Sequence, residues 1–105
     1  MMRNSTWILA GLVLIASHAS KARAADADHG EQLARRWCAA CHIVAPDQQQ
    51  GSDGIPAFAS IARRPGFSTE KLTFFLLAPH PRMPDMALTR REAQDLAAYI
   101  MQIRP

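Results

Sequence analysis

The sequence has no apolar run long enough to cross a membrane: the stretch from Trp7 to Ala16 is ten residues, where a span needs about 20. No segment of four or more residues alternates apolar and polar in the way of a strand, so a sheet is not expected. Internal repeats and low-complexity tracts are also missing, which sets aside solenoids and disordered linkers. Cysteine is scarce. The only two, Cys38 and Cys41, are three apart, so no disulfide can staple distant parts of the chain. Acid is absent from the first 24 residues, although these carry Arg3, Lys21 and Arg23.

That local deficit of acid marks an export signal. A basic start, the Trp7–Ala16 apolar run, a polar segment from Ser17 to Lys21 and the small-x-small triplet Ala22-Arg23-Ala24 follow in the order a signal peptidase reads. Cleavage is expected after Ala24. Residues 1–24 are then a removed signal and residues 25–105 a single domain, placed in the oxidising periplasm of a bacterium. The formal net charge of +3 belongs to the signal, because residues 25–105 hold nine basic and nine acidic side chains. No nucleic acid partner and no stable membrane insertion after cleavage are expected, and any steering of a partner has to come from local patches.

A domain of this size buries only about 60–65% of its extended surface. Small scaffolds of this kind commonly add a disulfide, metal or cofactor, and a disulfide across Cys38–Cys41 would constrain little. Something else must complete the core.

Apolar spacing predicts an all-α domain of three to four short helices. Asp26 and Asp28 are N-cap candidates for a helix through Gly30–Trp37, with Leu33 and Trp37 on one face. The polar, turn-rich segment Ala45–Gly54 reads as a solvent-facing connection. Pro56 opens a short helical stretch carrying Phe58 and Ile61, ended by Pro65-Gly66. Ser68 caps a helix running through Leu72, Phe75 and Leu76 to Pro79, with Leu72 and Leu76 as its buried face. Prolines 79, 81 and 84 make Ala78–Met86 an extended loop. Thr89 and Glu92 form a capping box for a last helix whose apolar stripe is Ala93, Leu96, Ala97, Ile100 and Met101 or Ile103.

Chemistry is concentrated in Cys38-Ala39-Ala40-Cys41-His42. This is C-x-x-C-H, the attachment pattern of a c-type haem. Two cysteines at i and i+3 at a helix end present both sulfurs to one side, where they can bond to the two vinyl groups of a porphyrin, and His42 follows in position to reach the iron. A thioredoxin-like redox pair would need a βαβ context that is missing. A structural zinc site would need a fourth ligand at zinc spacing, for which only His29 and His80 are available. A local disulfide remains the bland alternative.

From about Gly30 to Ile103 the sequence resembles the class I c-type cytochromes of the small bacterial monohaem kind. The resemblance rests on the helix leading into Cys38-x-x-Cys41-His42 and on the Met83-Pro84 loop, with Gly54-Ile55-Pro56, Leu88-Thr89 and Asp95–Ile100 in support. It implies a cytochrome c fold wrapped around one covalently bound haem c, with its iron between His42 and a methionine. Cys38 and Cys41 would form the thioether links. Met83, next to Pro84, matches the sixth-ligand position, with Met86 as the alternative and Met101 as core filler. The resemblance also assigns Pro56 the carbonyl that receives the other ring N–H of the axial histidine. It has Gly30 letting the last helix approach, against Leu96 or Tyr99.

Phe58, Phe67, Phe74 and Phe75 are candidates for shared core and haem wall, and Trp37 for core or haem-edge packing. His80 is set aside as a loop residue, His29 is expected to be solvated, and the arginine pairs 35–36, 63–64 and 90–91 to face solvent. The implied function is one-electron carriage between a protein donor and acceptor, met transiently. Rival readings are a dedicated haem subunit of a periplasmic dehydrogenase, and a sensor or peroxidase-like protein with a displaceable methionine.

Overall fold

The computed structural model describes residues 24–78 and 82–103. Four helices lie in chain order: α1 (Ala27–Leu33), α2 (Phe58–Ala62), α3 (Thr69–Leu77) and α4 (Arg90–Gln102), with a π-helical turn, Ala34–Cys38, continuing α1. No strand occurs among the described residues. Residues 1–23, which hold all but the last residue of the expected signal, lie outside them, as do Pro79, His80 and Pro81.

Each helix start has a local cause. The Asp26 carboxylate accepts from the His29 N–H, and the Ser68 hydroxyl from the Lys71 N–H. Thr89 and Glu92 form the expected capping box, each side chain accepting from the other's backbone N–H. α1 opens at Ala27, with Asp26 rather than Asp28 as its cap. α2 begins at Phe58 rather than beside Pro56.

α4 packs most extensively on α1, next on α3, and also meets α2. Its buried residues are Ala93, Asp95, Leu96, Ala97, Tyr99 and Ile100. Of these, Leu96, Tyr99 and Ile100 join Leu33, Ala34, Val44, Ala45, Phe58 and Ala62 in one core. Closest approach falls at Gly30, where a Cβ would stand 2.0 Å from the Asp95 carbonyl oxygen and 2.9 Å from Tyr99 Cβ. Glycine is required there because backbone, not a flexible side chain, fills the space.

Three expectations about packing need correction. Trp37 does not pack in the polypeptide core: it is 46% exposed, with the Arg36 guanidinium 5.0 Å over its ring. The π turn that continues α1 through this position buries only Ala34. Met101 is also exposed, and Ile103 supplies the contact to the core instead. Leu72 and Leu76 touch the core, yet α3 buries no residue fully.

His29 is the clearest departure, since it is not simply solvated. Its Nδ1–H donates to Asp95 Oδ2 at 2.8 Å, while the Asp26 N–H donates to Asp95 Oδ1 at 2.7 Å and Arg91 Nε lies 3.4 Å from that oxygen. Asp95 is only 1% exposed, so this cluster clamps the start of α1 to the middle of α4. Burial by itself would raise the Asp95 pKa, but the His29 and Asp26 hydrogen bonds and the Arg91 charge outweigh it and hold the carboxyl below its ordinary value. A depressed folded-state pKa stabilises the fold above the unfolded carboxyl pKa of about 3.9 and is lost as pH falls through the folded value. Stability should therefore drop below about pH 4. Asp95→Asn should flatten that acid limb and cost about 1–3 kcal/mol at neutral pH, both read from urea midpoints across pH.

Candidate haem site

The C-x-x-C-H segment sits where the π turn ends. The Ala39 N–H reaches back to the Ala34 carbonyl at 3.0 Å, and the Cys41 and His42 N–H groups both return to the Cys38 carbonyl, at 3.1 and 2.9 Å. This tight turn brings both sulfurs and the imidazole to one end of the helix. Both thiols are free. Burial pushes the Cys38 thiol up to about 11, away from the low-pKa thiolate of a redox-active cysteine. No cluster of three or more metal-binding side chains of the His, Cys, Asp and Glu types occurs among the described residues.

His42 Nδ1 lies 2.6 Å from the Pro56 carbonyl oxygen. A carbonyl only accepts, so Nδ1 carries the proton and the Nε2 lone pair is left for a metal. Phe58 packs on the same ring at a centroid distance of 5.2 Å, tilted by 48°. Further ties hold the Pro56 loop against the motif: the Ser52 N–H donates to the Cys41 carbonyl and the Phe58 N–H to the Ile43 carbonyl, at 2.9 and 3.0 Å. The Tyr99 hydroxyl, buried on α4, donates to the Val44 carbonyl at 2.6 Å.

Met83 and Met86 are both half-buried in the segment before α4. Arg82 and Ala87, on either side of it, adopt left-handed conformations with φ of 77° and 50°, and Asp85 Oδ1 accepts from the Ala87 N–H at 2.8 Å. Leu88 then packs on the core. The bracing expected of Pro81, and the position of His80, fall outside the described residues. Of the arginine pairs, Arg35 forms a two-point contact with Asp47 at 3.0 and 3.3 Å, and Arg91 joins the Asp95 clamp.

These residues fit a haem. The cysteines are free and adjacent at a helix end, the imidazole donates from Nδ1 so that Nε2 is the nitrogen available to a metal, and α3 carries Leu72, Phe75 and Leu76 without burying any of them fully. Phe75 is 50% exposed. Cys38, Cys41 and His42 would hold the group, with apolar residues of the surrounding helices forming its walls.

An all-α fold with its terminal helices in close contact and C-x-x-C-H at the end of the first defines a small class I c-type cytochrome, whose cofactor is covalently bound haem c. Residues 25–100 match the family described as cytochrome c oxidase, cbb3-type, subunit III, and the chain belongs to that family. It is also 58% identical over 94 residues to cytochrome c-552 of Bradyrhizobium diazoefficiens (strain USDA 110), a match covering 90% of each chain. No solved structure matches it. No helix among the described residues is long and apolar enough to cross a membrane.

Proposed function

We propose that residues 25–105, released from the 1–24 signal in the periplasm, shuttle single electrons through one haem c with His42 and Met83 as axial ligands. Bound haem supplies a one-electron Fe(III)/Fe(II) couple, which Met/His ligation biases toward transfer rather than chemistry on a substrate. Cys38 and Cys41 anchor the group by thioether bonds. Pro56 orients the imidazole and raises its basicity through the Nδ1–H bond. The observation that carries this reading is the 2.6 Å contact between His42 Nδ1 and the Pro56 carbonyl, the arrangement an axial histidine requires. Identity to a named cytochrome over most of the chain supports it.

Donor and acceptor are redox proteins that dock transiently, through interfaces of the small kind typical of electron transfer. Met83→Ala should erase the weak sulfur-to-iron charge-transfer band of the oxidised protein, while Met86→Ala should leave it in place. The opposite pattern would move the sixth ligand to Met86.

A further inference from the structure

Gln48 lies in a loop that reads from sequence as a mere connection, yet its side-chain amide is fully engaged. Oε1 accepts from the Val44 N–H at 2.9 Å, and Nε2 lies 2.7 Å from the His42 carbonyl, 3.0 Å from the Ala39 carbonyl and 2.9 Å from the Gln50 carbonyl. The partners fix the amide's orientation, since a backbone N–H only donates and a carbonyl only accepts. Two N–H bonds thus serve three carbonyls.

A helix end leaves its last carbonyls without intrahelical donors. Here each of four carbonyls at the end of the attachment turn has a donor: Ala39 and His42 take Gln48, Cys41 takes the Ser52 N–H, and Ile43 takes the Phe58 N–H. Two of the four therefore depend on a single side chain. That side chain also grips the Gln50 carbonyl, at the entry to the loop that carries Pro56. Beyond Gln50, Gly51 runs so close to the motif that a Cβ there would stand 2.9 Å from the Cys41 carbonyl oxygen, so the separation between motif and loop has little slack.

We infer that Gln48 is a positioning residue for the fifth iron ligand: by tying the His42 backbone to the start of the Pro56 loop, it sets the geometry of the His42–Pro56 hydrogen bond. This rests on the reading of His42 as an axial ligand. Pro56 holds the ring, and Gln48 holds the backbone that the ring hangs from together with the segment that presents the accepting carbonyl. Because the ring hydrogen bond tunes ligand basicity, Gln48 acts on the iron without touching it.

The test uses the reduced, haem-loaded mature protein and follows solvent exchange of the His42 Nδ1–H by proton NMR. Gln48→Met keeps the side chain's length and removes all four contacts; Gln48→Glu keeps the acceptor for Val44 and loses the donations. Both should speed ring N–H exchange by about tenfold or more, the equivalent of one net hydrogen bond. His29→Ala, which weakens the fold at the α1–α4 clamp, should leave that exchange near the wild-type rate. Unchanged exchange in the Gln48 variants, or equal acceleration in His29→Ala, would overturn the inference. Failure of both Gln48 variants to acquire haem, with normal loading of His29→Ala, would overturn it too by assigning Gln48 to folding alone. A wild-type protein without a histidine-ligated haem would instead refute the underlying reading, so the two failures are separable.

Discussion

Gly30→Ala should strongly destabilise the fold. In an exposed helix the same change would stabilise the chain by about 0.5–1 kcal/mol, because alanine loses less backbone entropy than glycine. Here the added Cβ would lie 2.0 Å from the Asp95 carbonyl oxygen and 2.5 Å from its carbon, and neither atom can swing aside as a side-chain tip would. α1 and α4 would have to separate, loosening Leu96, Tyr99 and Ile100 from Leu33 and Ala34 and pulling Asp26 and His29 away from Asp95. Overpacking in a well-formed core costs about 1–3 kcal/mol, and the weakened clamp adds about 1–3 kcal/mol. Against a total stability of about 5 kcal/mol for so small a domain, a sum of about 2–6 kcal/mol removes a large part of the stability or all of it. The check is the urea midpoint of the haem-loaded variant, and a midpoint at or above wild type would show that the helices do not meet as described.

Removing both attachment cysteines, Cys38→Ala with Cys41→Ala, should cost the chain its cooperative fold as well as its covalent haem. Among the described residues, five of the eleven buried hydrophobic ones are alanines, at positions 34, 45, 62, 93 and 97. Alanines bury little area each, so the polypeptide's own core is thin at about 25 cal/mol per Å². α3 adds no fully buried side chain, and Phe74, 76% exposed, only lines an open groove between α3 and α4. The haem is thus part of the core, and its binding energy is folding energy, as for metals in small metallo-domains. Far-UV circular dichroism on heating should show a shallow, early loss of helix in the double variant. A sharp melt of the double variant at the wild-type temperature would mean that the chain folds without its cofactor.

How much of this was legible in the sequence depends on whether the signal was local. Caps were: Asp26, Ser68 and the Thr89–Glu92 box act within one turn, and each forms as its spacing implies. The C-x-x-C-H pattern was legible for the same reason, since its chemistry lies in five consecutive residues. Pro56 as the partner of His42 came from family resemblance rather than spacing, because 14 residues separate them and nothing in the intervening loop announces the contact.

Three features escaped because they depend on tertiary context. The π turn at Ala34–Cys38, which buries only Ala34, leaves no mark in composition. His29 and Asp95 are 66 residues apart, so only the fold reveals that they pair. Gln48 was hidden among polar loop residues, where three consecutive glutamines at 48–50 look interchangeable until the backbone carbonyls around one of them are seen. An aspartate in the middle of an otherwise apolar α4 stripe was the one available hint, since a buried carboxylate requires partners.

The central claim is that one haem, held covalently by Cys38 and Cys41 and ligated by His42 and Met83, cycles a single electron. Spectroelectrochemical titration of the purified mature protein, followed by denaturation of the same sample, tests it most directly. A single covalently held His/Met haem gives one reversible transition with a one-electron Nernst slope, the sulfur-to-iron band present only in the oxidised form, and haem colour that stays with the chain after unfolding. Haem that separates from the unfolded chain, or the lack of a reversible one-electron transition, would contradict it.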